Sequence, residues 1–252
     1  MALLFQLRKP PPNPHEELTR YLSVDAFEAT LRNGTLRFSS VEAMERLELP
    51  DRHEAHLPEW KVAQWNAWWQ TRSAEDGWLP QWSELNAEEH VIESFRRQTG
   101  VSCWTHQAES LPMWSIYGDR AAGVAFVATA ASIEAGLSTR HQNDTEIVFG
   151  GRIDYPNVDQ LRELDVRQIN PVSVGFIKRP VFAWETETRF AITHLHASPP
   201  FDIPMEPNIL LKRILIGPKA DEAIEGQVRA LAKTFAPGVE VIRSTLLERL
   251  WE

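Results

Sequence analysis

The chain has 252 residues, 43% hydrophobic and 24% charged, which is the balance of a folded chain with material for a sizeable core. A net charge of −9 and a pI near 5.4 argue against general attraction to nucleic acid or anionic membrane, and no apolar run approaches the ~18–20 residues of a membrane span. The one cysteine, Cys103, excludes an internal disulfide and a cysteine-based zinc site. With no secretory layout at the N-terminus, this leads us to expect a cytoplasmic protein.

Residues 8–14 (RKPPPNP) read as an extended lead-in, because proline fixes φ and lacks a donor. Leu18–Leu22 suits a short strand. Ser23 is a natural N-cap for a helix with Val24, Phe27 and Leu31 on one face, closed by Asn33–Gly34. Thr35–Ser39 alternates Leu36 and Phe38 as a second strand.

From 41 to 99 the pattern is helical, broken at Pro50, Pro58 and Gly77–Pro80. It contains Trp60, Trp65, Trp68 and Trp69, then Val91, Ile92 and Phe95, and is expected as a Trp-rich helical insertion or subdomain over one side of a sheet. Core packing accounts for such indoles, and an exposed face in 60–95 for a protein partner is the alternative.

Strands are expected at 101–105, 123–129, 146–155, 181–193 and 209–216, with helices at 110–118, 130–137 and 158–167. An amphipathic helix over 221–234 carries Ile224, Val228, Leu231 and Phe235, and Val239–Ser244 is a last strand. Irregular insertion of helices predicts one α+β domain over 1–252, with a mixed or antiparallel central sheet of about six to eight strands.

No phosphate loop, dinucleotide fingerprint, zinc-protease or nucleophile-elbow motif is present. The pairs His194/His196 and His53/His56 have no third ligand near them in sequence, so no metal is expected. Two stretches carry most of the functional signal. In 101–126 (VSCWTHQAESLPMWSIYGDRAAGVAF) a strand, a polar turn, Trp114 and Tyr117 at helical spacing, and a second strand suggest the wall of a pocket. In KRPVFAWETETRFAI (178–192), strand alternation puts Glu185, Glu187 and Arg189 on one face, opposite Phe182, Trp184 and Phe190. Lys178 and Arg179 add further charge. This grouping is either an exposed edge with ion pairs or a paired-carboxylate site with cationic help.

With these stretches in view, the chain resembles bacterial domain-of-unknown-function family 2971 over nearly its whole length. The matching residues are L-x-R-Y (18–21), L-R-F-S (36–39), V-S-C-W, M-W-x-x-Y-G and G-V-A-F within 101–126, K-R-x-x-F-x-W-E-x-E-x-R (178–189) and I-L-I-G-P (214–218). Where members often carry an Asn-Asp-Pro-like turn, this chain has Val41-Glu42-Ala43-Met44. The family implies no established activity.

A looser resemblance is to ADP-ribosyltransferases, in the order of Arg20 on the first strand, Ser102 on a middle strand, Trp114 and Tyr117 after it, and Glu185-Thr186-Glu187 late. It implies an ADP-ribosyltransferase-like fold and an NAD-consuming transferase or glycohydrolase, such as a toxin or phage-defence effector, acting on an unknown macromolecular acceptor. Glu187, Glu185 and Tyr117 are then the candidate catalytic residues. Arg20, Tyr21, Ser102, Trp104, Trp114, Lys178, Arg179 and Arg189 are candidates for holding NAD, with Trp114 or Tyr117 stacking on nicotinamide. A non-enzymatic protein-binding module of a defence or stress system is the alternative, and a nuclease holding a divalent cation on Glu185 and Glu187 is the third reading.

Overall fold

The strand–helix–strand opening forms as its sequence dictates. In a computed structural model, which describes residues 4–7, 12–40, 57–75, 99–138, 147–168, 171–193 and 199–248, strands β1 (Leu4–Leu7) and β2 (Glu17–Leu22) precede helix α1 (Val24–Asn33). Ser23 Oγ accepts from the Ala26 amide at 3.2 Å and caps that helix. Gly34 ends it at φ 61°, a left-handed conformation that costs glycine nothing sterically. Strand β3 (Thr35–Ser40) follows.

Helix α2 (Glu59–Glu75) is the part of the expected insertion that lies within the described residues; 41–56 and 76–98, with Trp78, Trp82, Val91, Ile92 and Phe95, lie outside them. The remaining elements in chain order are β4 (Thr99–Thr105), α3 (Leu111–Tyr117), β5 (Val124–Thr129), α4 (Ala130–Ser138) and β6 (Ile147–Arg152). Then come α5 (Val158–Glu163), α6 (Pro171–Val174), β7 (Glu187–Thr193), β8 (Phe201–Pro204) and α7 (Pro207–Leu210). Strand β9 (Arg213–Ile216), helix α8 (Glu222–Phe235, capped by Asp221) and β10 (Glu240–Arg243) complete the fold.

Three expected strands are shortened, one of them 146–155, of which β6 keeps only Ile147–Arg152. Residues 180–185 form a 3-10 turn, because Pro180 begins it and Thr186 at φ 44° ends it, so β7 starts only at Glu187. Likewise 207–210 is one helical turn begun by Pro207, and β9 starts at Arg213.

The described residues form ten strands, more than the six to eight expected, because β1 and β8 were not anticipated. The sheet is mixed, in the order β1-β6-β7-β4-β2-β5-β9-β10, with β3 pairing β4 and β8. Parallel pairs occur at its two ends, β1 with β6 and β9 with β10. Alternation along the central strands separates two faces. One face carries Leu18, Trp104, Phe126, Phe190 and Ile214, packed under Phe27 and Leu31 of α1, Ile133 of α4 and Val228 and Leu231 of α8.

The opposite face is covered in two separate patches. Tyr21, Ala125, Val127 and Leu215 pack against Met113 and Trp114 of α3. Val101 and Ala191 pack with Leu57, Val62 and Trp65 around α2, together with Val174 and Phe176. Between these patches the sheet also forks: β2 pairs with β4 at Thr19–Thr105, whereas β3 pairs with the other end of β4 at Ser39–Val101 and Ser40–Gly100. The fork, and the gap between the two patches among the described residues, set the position of the site.

Candidate active site

A cavity of about 180 Å³ opens at this fork, lined by Thr19, Arg20, Tyr21, Trp104, Thr105 and Met113 and, on the far wall, by Tyr117, Lys178, Glu185 and Glu187. Its floor follows from strand register. Antiparallel pairing sets Val127, Thr19, Thr105 and Glu187 in a row across β5, β2, β4 and β7. Helix α3 brings Tyr117 to the far wall. The segment before β7 brings Lys178 and Glu185 to the same wall, with Glu185 within hydrogen-bond reach of both Tyr117 and Lys178.

Arg20 fills the fork itself. One guanidinium nitrogen donates to Ser102 Oγ at 2.5 Å and another to the Arg37 carbonyl of β3 at 3.0 Å. Trp104 Nε1 donates to the same Ser102 hydroxyl at 3.0 Å, so Ser102 lies behind the cavity and holds two of its wall residues. Among the described residues no carboxylate pairs with Arg20. Burial lowers its pKa to about 10, partly offset by Cys103, with Arg37 adding a smaller depression. A guanidinium so placed has the chemistry to receive an anion.

The acid cluster is closed from solvent. Lys178 Nζ donates to Glu185 Oε2 at 2.5 Å and to Glu187 Oε2 at 3.3 Å. Arg189 donates through Nε to Glu187 Oε1 at 2.8 Å and through NH1 to the Gly175 carbonyl at 2.7 Å. Tyr117 donates its hydroxyl to Glu185 Oε1 at 2.9 Å. Glu185 and Glu187 are 3% and 4% exposed, which excludes the exposed-edge reading of this stretch.

The two carboxyls are driven in opposite directions. Burial pushes Glu187 up, but Arg189 and Lys178 outweigh it and hold its pKa down at about 2. Burial also pushes Glu185 up, and here Lys178 does not overcome it, while the neighbouring Glu187 charge pushes the same way. Glu187 is thus held ionised while Glu185 is pushed the opposite way, so the two acids of one cluster are tuned apart. Tyr117 and Tyr155 are both pushed up by burial and by the neighbouring acids.

Seven sequence candidates therefore converge on one cavity: Arg20, Tyr21, Trp104, Tyr117, Lys178, Glu185 and Glu187. Ser102 and Arg189 sit behind it. Two do not belong to it. Trp114 is wholly buried, with its Nε1 bonded to Glu109 at 2.9 Å and its ring edge-on to Tyr21 at 4.7 Å, so it cannot stack on a ligand. Arg179 is exposed, stands over the Phe182 ring and borders a separate apolar groove with Val158, Pro156 and Val181.

The strand-face argument for Glu185, Glu187 and Arg189 needs correction too. Glu185 reaches the cluster from the 3-10 turn rather than from β7, and Trp184 is 37% exposed instead of facing the core. Sequence reasoning missed Thr19, Thr105, Met113 and Tyr155. Thr19 was legible as the residue two before Tyr21 on one strand; Tyr155, whose hydroxyl accepts the Glu187 amide at 3.0 Å, left no signal.

Among the described residues no cluster of three or more His, Cys, Asp or Glu could hold a metal. His53, His56, His194 and His196 lie outside them. The site a divalent cation would need between Glu185 and Glu187 is bridged by the Lys178 ammonium. No described helix is long and apolar enough to cross a membrane.

No family model matches the chain, so assignment to family 2971 finds no support, and no curated protein sequence matches either. Among solved structures, the chain is distantly similar to DarT of Thermus sp. 2.9. The match to that protein in complex with NAD+ has 13% identity and a TM-score of 0.37, over 92% of this chain and 96% of that one. The match to its complex with ADP-ribosylated ssDNA has 12% identity and a TM-score of 0.36, over 97% and 98%. The match to its complex with carba-NAD+ has 12% identity and a TM-score of 0.36, over 93% and 97%.

Proposed function

We propose that the chain consumes NAD, as an ADP-ribosyltransferase toward a macromolecular acceptor or as a glycohydrolase. The observation that carries this reading is the pair Glu185 and Glu187, oppositely shifted, in the wall of a cleft that also holds an arginine without a carboxylate partner among the described residues. Cleaving the nicotinamide–ribose bond builds oxocarbenium character on the sugar. In this reading Glu187, ionised at neutral pH, holds a ribose hydroxyl and stabilises the developing positive charge. Arg20 pairs with the pyrophosphate.

Tyr117 packs beside the leaving ring and orients Glu185, which takes the proton of the acceptor nucleophile, a water in hydrolysis. Lys178 and Arg189 hold the two acids in place. The cavity is only somewhat larger than the ~150 Å³ that holds a benzene-sized ligand, so it takes the ring and part of the sugar, and the rest of the dinucleotide runs out past Arg20.

Nicotinamide release from NAD by the purified chain, with and without candidate acceptors, tests this. Glu187→Gln is expected to lower the rate by about 100-fold or more, the scale of losing a transition-state charge contact, while Arg20→Ala raises KM. A rate equal in wild type and Glu187→Gln rejects the reading.

The binding-module alternative loses one of its anchors, because Trp65 is 2% exposed within the core around α2. Trp60 is exposed, and the Trp69 side chain lies outside what is described.

A further inference from the structure

Thr19 stands in the middle of the cleft floor, between Val127 and Thr105 in the row that ends at Glu187. It is 1% exposed, lines the cavity, and its hydroxyl oxygen has no hydrogen-bond partner. The other hydroxyls on this floor are committed. Thr105 donates to the Glu185 carbonyl at 2.5 Å, Tyr117 donates to Glu185, and Tyr21 bonds the Gln107 carbonyl at 3.1 Å and receives the Ser110 amide at 3.3 Å. A buried hydroxyl without a partner is unfavourable, and a cavity wall is where a bound molecule can supply one.

The surroundings define what that molecule presents. Tyr21, Met113 and Tyr117 make the walls aromatic or apolar, which suits a planar ring. The residues flanking Thr19 in its row, Val127 and Thr105, are uncharged, and the Arg20 guanidinium is turned to Ser102 and the Arg37 carbonyl, so the position facing Thr19 suits a neutral hydrogen-bonding group. Thr19 and Glu187 lie two strand spacings apart, about 10 Å between backbones. That spans a ring bonded to a sugar whose hydroxyl sits at the acid.

We propose that Thr19 determines specificity in this cleft: its hydroxyl bonds an uncharged polar substituent, of carboxamide type, on the planar ring that departs. This rests on the NAD-consuming reading and narrows it to leaving groups that carry a neutral hydrogen-bonding substituent.

Calorimetric binding of benzamide and of toluene, a ring of similar size without the polar group, tests the assignment on wild type, Thr19→Val and Thr19→Ser. Wild type and Thr19→Ser should prefer benzamide by about tenfold or more. Thr19→Val, which keeps the shape and removes the orphaned oxygen, should melt no lower than wild type and lose most of that preference. No preference in wild type, or a preference that survives in Thr19→Val, overturns the proposal. Nicotinamide release from NAD is followed separately on the same proteins. Discrimination lost in Thr19→Val while wild type leaves NAD intact would uphold Thr19 as the reader of the ring substituent and reject the NAD reading alone.

Discussion

Lys178 is what allows two buried carboxyls to lie side by side at the end of a turn and the start of a strand. It bridges Glu185 and Glu187, and Arg189 takes the remaining oxygen of Glu187. Removing one partner from such a cluster leaves buried charge uncompensated, so Lys178→Met is expected to destabilise the chain by about 3–5 kcal/mol in urea unfolding. A loss within experimental error would mean the cluster is hydrated rather than closed. The acid limb of stability carries a second expectation. Glu187 titrates near 2 when folded, against an ordinary 4.5, so folding favours its charged form. Its contribution is complete above the unfolded value and is lost as pH falls from about 4.5 toward 2, on the order of 3 kcal/mol. Glu185, shifted upward, works in the opposite sense and is most favourable at low pH. Glu187→Gln should therefore flatten the acid unfolding curve in that window, and an unchanged curve would contradict the ionised assignment.

At the scale of elements, alternation and capping made the opening of the chain legible. Ser23, the Phe27/Leu31 stripe and Gly34 mark α1 within a residue, because each signal is local. The same logic failed at 181–186. The alternating pattern there is real, but Pro180 and the left-handed Thr186 impose a turn, and side-chain alternation cannot report that. It still led to the right acids, since the turn delivers Glu185 to the same ammonium that Glu187 meets across the strand start. The tryptophan-rich helix separates two uses of large rings. Trp65 packs with Val62, Leu57, Phe176 and Val174, so Trp65→Ala should cost about 3–5 kcal/mol in thermal or urea unfolding. A folded Trp65→Ala of unchanged stability would instead put that ring at an interface.

Across the whole molecule, the site depends on the fork between β2 and β3 and on the strip of sheet that, among the described residues, lies between the two helical patches. Neither was visible in the sequence, because both depend on register between strands more than 60 residues apart, Ser39 with Val101 and Thr19 with Thr105. What the sequence did carry was the set of residue types that such a cleft collects. The most direct measurement is titration of NAD onto Glu187→Gln, in which cleavage is expected to be slow, beside the double variant that also carries Arg20→Ala. The account predicts saturable binding by the first protein and at least about tenfold weaker binding by the second, as expected for loss of a charge-assisted contact to phosphate. No binding by a folded Glu187→Gln chain, or equal affinity in the two proteins, would contradict it.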